Sequence, residues 1–362
     1  MESIKKPKLS DRFWQPLESV VRCSRSTRYC RSYEDEAPLK SGVARVLHGR
    51  DSGRGWVQSL SLYFAGMSLG VGTFFDALRS KRRLAFVAEM DGALVRQSDA
   101  AILDDGGDPF AEHKELEKFH VYATDGHSLG ASAHESPIQG KKRAVNHIFS
   151  LNLRTHTLAY VDLCNAQGRQ KKEHEIKKLK SLEVKTLRMG APKGIKVIHA
   201  YDPAIVDYGF WSQCKRSGIY FITLEKANCA LIKCGDIEKV FHQNKNKLGE
   251  NKAWAKSQTA KKQHAHFICI AHNLMRVLSM TLESHEGITD EKSRQRRDMR
   301  KSTAGRKARI NNRTINPLVS GFNRSTQRCL QFIRWLRLSL SKNLSYSQAV
   351  HDLRPLMRSY LK

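Results

Sequence analysis

The sequence predicts an α/β protein. Its central region, residues 116–285, is expected to form a mixed sheet flanked by helices, with a helical basic region before it (1–115) and a basic helical extension after it (286–362). Three patterns carry this expectation. Residues 119–163 hold three runs of β-forming residues separated by loops, which reads as an antiparallel meander. Residues 168–241 then alternate helical and extended patterns, as parallel strands joined by crossover helices require. Both flanks return to helical periodicity.

In the first region, Arg22, Arg25, Arg28 and Arg31 recur at every third position, a spacing that suits either phosphate contact or a solvated basic face. Residues 56–75 are uncharged, but Gln58, Ser59, Ser61, Gly66, Ser68, Gly70, Gly72 and Thr73 make the stretch too polar for a membrane span. A buried helical hairpin is expected there. The turn-forming run Asp104, Asp105, Gly106, Gly107, Asp108, Pro109 marks a domain boundary.

The central region reads as strands at 119–125, 144–151 and 157–163, a charged helix at 168–183, a strand at 196–201, a helix at 204–216, a strand at 219–224 and a helix opening near Asp236. This order, β-β-β-α-β-α-β-α, resembles that of ribonuclease-H-like domains. Residues 263–282 follow as a long apolar helix. Its His264 and His272 share a helical face, but no carboxylate or cysteine stands at the positions that would complete a ligand set, so these histidines and His266 read as structural. The segment 292–313 is rich in Lys and Arg with Asp298 its only acid, and suits phosphate contact through Arg294, Arg296, Arg297, Arg300 and Lys301. Residues 325–361 return to amphipathic helix, with Trp335 and Leu336 on an apolar stripe, so carboxy-terminal helices are expected after the basic segment.

Composition narrows the partner. Lys and Arg total 63 against 35 Asp and Glu, a net charge of +28 and a pI near 9.9, so the surface attracts polyanions and nucleic acid is the first partner to consider. The eight cysteines form no CxxC pair, which argues against a zinc knuckle and a secreted disulfide framework. No apolar segment of secretory type follows Lys5, Lys6 and Lys8, and a cytoplasmic, nucleoid-associated protein is expected.

Three acids fit phosphodiester chemistry. Two divalent ions, held by a few carboxylates with positions left open, can activate an attacking oxygen and stabilise the leaving one. Asp125 is expected at the end of the first strand beside Gly126. Asp202 follows the strand at 196–201 and precedes Pro203. Neighbouring central strands would bring these two together. Glu238 opens a helix whose Ile237, Val240, Phe241 and Leu248 form an inward stripe, and Lys245, seven residues on, is placed to reach a bound phosphate.

At these residues the chain resembles bacterial insertion-sequence transposases of the DDE class, in the subgroup with a Tyr-Arg-Glu-Lys signature. The resemblance rests on Tyr122-Ala123-Thr124-Asp125-Gly126-His127, on Val197-Ile198-His199-Ala200-Tyr201-Asp202, and on Asp236-Ile237-Glu238-Lys239-Val240-Phe241 running on to Lys245, and covers about residues 115–285. It implies that Asp125, Asp202 and Glu238 bind two Mg²⁺ or Mn²⁺ ions and that Lys245 is the signature lysine. It also implies double-stranded DNA as substrate, at transposon ends and target, with a homodimer on that DNA. The signature's Tyr and Arg positions hold Leu231 and Cys234, and a shift of one residue meets only Ile232 and Gly235. Only 35 residues separate Asp202 from Glu238, where the subgroup carries a β-rich insertion. A catalytically impaired DNA-binding remnant and a metal-dependent nuclease are therefore the alternatives to an active transposase.

Overall fold

The computed structural model describes residues 7–25, 32–49, 52–63, 68–106, 108–137, 140, 144–164, 175–201, 207–223, 240–248, 250, 252–288 and 328–358. The first region is helical, as expected: α1 (Leu9–Arg25), α2 (Ser32–His48), α3 (Gly53–Tyr63), α4 (Val71–Arg79) and α5 (Lys81–Asp104). The uncharged stretch at 56–75 divides between α3 and α4, with Trp56, Leu60 and Phe74 buried. Among the described residues no helix is long and apolar enough to cross a membrane.

The central region is a mixed sheet. Its strands are β1 (Phe119–Leu129), β3 (Val145–Asn152), β4 (Leu158–Cys164), β5 (Lys196–Tyr201) and β6 (Ile219–Thr223), in the spatial order β4-β3-β1-β5-β6. The meander β1, β3, β4 is antiparallel, whereas β5 pairs parallel with β1 and β6 pairs parallel with β5. The crossovers run through α6 (Glu175–Ser181) and α7 (Val184–Leu187), then through α8 (Tyr208–Lys215). Asp207 starts α8 by accepting the Phe210 amide at 2.8 Å. Two short strands, β2 (Ala131–Ser132) and β7 (Lys252–Ala253), pair separately.

Period-two alternation divides the sheet between two cores. Tyr122, Ile148, Val197, Tyr201 and Ile219 pack on the α6 to α8 side. Val121, Ala123, Phe149, Leu151 and Leu158 join the larger core, which takes in the first five helices, the long helix Gln258–Glu286 and the carboxy-terminal helices. The long helix begins at Ser257, whose hydroxyl accepts the Ala260 amide at 3.2 Å, and ends at Gly287, where φ is 62°.

One expectation changes. The strand at 119–125 continues to Leu129, so Asp125 lies within β1, because β3 goes on pairing with it to Leu129↔Val145. What stops near Asp125 is the pairing on the other side, whose register with β5 ends at Ala123↔Ala200. The carboxy-terminal helices are a pair, Leu330–Ser341 and Tyr346–Arg358. Asn343, at φ 51°, breaks the first, and the Ser345 hydroxyl accepts the Gln348 amide of the second at 3.3 Å. Trp335 and Leu336 are buried as the stripe predicts.

The turn between β3 and β4 is tied to α5 through one carboxylate. Asp99 accepts from the hydroxyls of Thr155 at 2.5 Å and Thr157 at 2.6 Å, and from the Asn152 amide at 3.2 Å. Asp99→Ala strands these buried donors and is expected to cost about 2–3 kcal/mol, read as a lower urea midpoint with the slope unchanged.

Candidate metal and nucleic-acid site

The strand leading to Asp125 is fixed from both sides. Thr124 meets the Ser150 hydroxyl on β3 at 2.5 Å and Nδ1 of His199 on β5 at 2.9 Å, and His199 Nε2–H donates to the Leu187 carbonyl at 2.7 Å. With Nε2 donating, Nδ1 accepts the Thr124 proton, so the imidazole must be neutral. Burial enforces this by lowering its pKa to about 4. Three strands are thereby stitched together one residue before Asp125.

Asp125 is half-buried on the face of the larger core, opposite Phe149 of β3. Its Oδ1 accepts the Gly126 amide at 2.7 Å. A half-exposed carboxylate beside the point where parallel pairing ends is the donor type and accessibility that a hard cation requires. Among the described residues, no group of three His, Cys, Asp or Glu is arranged to hold a metal. Asp202 and Glu238 lie outside the described residues, as do Arg294, Arg296, Arg297, Arg300, Lys301 and the signature positions 231–235. Asp125 and Lys245 are the predicted site residues that the structure describes.

Glu175, at the start of α6, was not singled out by its sequence pattern. A Cβ at position 126 would fall 1.9 Å from its Oε1, so the glycine next to Asp125 leaves room for this carboxylate. Asn146 Nδ2 donates to the same oxygen at 3.1 Å, and the Ser128 hydroxyl donates to Asn146 Oδ1 at 3.3 Å. The sequence signal was Gly126 itself, in a strand position where glycine is otherwise costly.

On the face of Asp125, two residues further along β1, His127 is buried and stacks on Phe241 with ring centroids 4.5 Å apart. Burial, with the charge of Lys245 and then His264 adding to it, lowers the His127 pKa to about 3. Phe241 begins the segment that becomes a π-helical turn at Gln243–Lys247, so Lys245 does not sit on a regular α-helical face. Lys245 is half-buried and has no hydrogen-bond or ion-pair partner among the described residues. Val240, Phe241 and Leu248 are buried, as the inward stripe requires.

His264, His266 and His272 of the long helix are engaged in the fold, as expected. His264 Nε2 meets Glu250 at 2.7 Å, His266 Nδ1 meets Asp91 at 2.7 Å, and His272 Nε2–H donates to the His156 carbonyl at 3.0 Å.

Comparison of the chain with protein-family models, with curated proteins and with solved structures gives no match.

Gly126→Ala displaces the far end of the half-exposed Glu175 side chain and its bond with Asn146, so it is expected to cost no more than about 1 kcal/mol, and adding Glu175→Ala should remove that cost. Urea unfolding of the single and double variants checks this. Stability should also depend on pH through two buried histidines. Burial lowers His199 and His272 from the usual 6.5 to about 4 in the fold. Both imidazoles are fully buried and neutral there, and an unfolded chain with ordinary histidines takes up protons first as the pH falls. The stability they contribute is therefore whole above about pH 6.5 and is lost between about 6.5 and 4, at about 1.4 kcal/mol per pH unit for each group. Urea midpoints measured from pH 7 down to pH 4 should fall along this window.

Proposed function

We propose that the chain acts on double-stranded DNA as a metal-dependent phosphodiester-processing enzyme of ribonuclease-H-like design, in the manner of DDE transposases. The observation that carries this reading is the place of Asp125: on the central strand, half-exposed, beside the point where pairing with β5 stops. The strand order, with an antiparallel meander extended by two parallel strands, supports the ribonuclease-H-like assignment.

The register supports a role for the second acid. Ala123 pairs with Ala200, and two positions further along each chain segment the sequence holds Asp125 and Asp202. Tyr201, the residue before Asp202 in sequence, belongs to the core on the α6 to α8 side. Glu238 precedes the buried Val240 by two residues, in the segment whose Phe241 stacks on His127. Asp125, Asp202 and Glu238 would hold the metal ions.

Bound Mg²⁺ or Mn²⁺ would supply positive charge to the attacking and leaving oxygens of an in-line displacement. The chain itself fixes the ligand strand through Thr124, Ser150 and His199, and offers Lys245 to a phosphate. Its +28 charge draws the duplex to the surface. A DNA-binding remnant without catalysis is the second reading, favoured by Leu231 and Cys234 at the signature's Tyr and Arg positions.

A strand-transfer assay with Mg²⁺ or Mn²⁺ separates these readings. The expected outcome is metal-dependent cleavage and joining that falls at least about 100-fold in each of Asp125→Asn, Asp202→Asn and Glu238→Gln, as loss of electrostatic stabilisation at a reacting centre does. Salt-sensitive DNA binding with no cleavage would establish the remnant, and cleavage without joining a nuclease.

A further inference from the structure

Lys245 is an unusual cation for this protein. It is half-buried and unpaired among the described residues, and its turn is held from two sides. On one side, the Gln243 side-chain carbonyl accepts the Arg328 amide, and Lys247 Nζ donates to the Arg328 carbonyl. On the other, Phe241 stacks on His127 at 4.5 Å with the rings 28° from parallel, and both rings pack against Phe149, the cross-strand partner of Asp125, at 5.9 and 6.1 Å. The three rings join the strand of Asp125 to the turn of Lys245.

We propose that His127 is a positioning residue: its ring, stacked on Phe241, sets the turn that aims Lys245 at a DNA phosphate beside Asp125. This rests on the reading that Lys245 meets the substrate backbone. An aromatic stack resists sliding and tilting more than an aliphatic contact does, because ring faces and edges have preferred arrangements. Lys245 has four rotatable bonds of its own, so the position of its backbone decides whether the ammonium reaches the phosphate without a large entropic loss. The clamp at Arg328 holds the turn at Gln243 and Lys247, and the His127 stack holds Phe241, two residues before the turn begins.

The test is duplex binding by the full chain, measured by fluorescence anisotropy of a labelled oligonucleotide across a salt series. Lys245→Ala is expected to weaken binding about threefold to tenfold and to reduce the salt slope by about one. His127→Ala should reproduce both changes, and the double variant should be no weaker than Lys245→Ala alone. His127→Phe, which keeps the stack, should restore the wild-type affinity and slope. Phe241→Leu keeps the core apolar while removing the stack, and should match His127→Ala if that variant folds poorly. Independent losses that multiply in the double variant would overturn the proposal, as would wild-type binding in both His127→Ala and Phe241→Leu. Unchanged binding and slope in Lys245→Ala would instead overturn the phosphate contact itself, and the role of His127 with it.

Discussion

A buried polar group has to find a partner, and the long helix Gln258–Glu286 applies that constraint to nearly every part of the fold. Lys261, Gln263, His264, His272, Asn273 and Arg276 are all buried along it. Lys261 pairs with Glu135 at 2.9 Å, and Gln263 donates to the carbonyls of Ala77 and Leu78. Asn273 accepts the Leu158 amide and donates to the Leu158 carbonyl, at 2.8 and 3.0 Å, so its side chain acts as an extra strand residue at the start of β4. Arg276 reaches the Thr155 carbonyl. An apolar helix could slide or turn on the sheet at modest cost, but each of these bonds, once broken, leaves a desolvated group worth about 1–3 kcal/mol. The helix is therefore fixed in register against the amino-terminal helices and the sheet together.

The same constraint reaches the site. His264 is bonded to Glu250, whose amide donates to the Asn244 carbonyl in the π-helical turn, and Trp254 donates to the same carboxylate at 3.2 Å. The turn carrying Lys245 is thus supported by the long helix, by the start of the carboxy-terminal helices and by β1. Asp125 is supported through a separate set of bonds, from Thr124 to β3 and β5. Rigidity of both supports is what a preorganised phosphate site needs, since a donor that must be ordered on binding gives up part of its interaction energy.

Much of the fold was legible in the sequence because its signals are local. The period-two runs of the meander and the apolar length of the long helix each declare an element within a few residues, whereas the caps at Asp207 and Ser257, which start their helices at 208 and 258, were not read from the sequence. The length of β1 was not, because Gly126 and Ser128 are poor strand formers, and their place is held by pairing with Asn146 and Ile148 over a long sequence separation. The place where the carboxy-terminal helices divide, at Asn343, was hidden for a similar reason: Lys8 bridges to Ser345, and a partner so distant along the chain leaves no local trace. Asp125 could be read from its neighbours, whereas the Glu175 contact at Gly126, on the other face of the sheet, and the His127 stack depend on contacts across elements. Gly126 was the one local sign of the former, and it marks a close approach without naming what approaches.

If Asp125 faces a metal-bound DNA phosphate, the most direct measurement is the anomalous scattering of Mn²⁺ in crystals of the full chain with duplex DNA. A peak is expected about 2.0–2.3 Å from an Asp125 carboxylate oxygen, with a DNA phosphate oxygen completing its coordination. Well-ordered DNA in contact with the chain, but with no metal at Asp125, would contradict it.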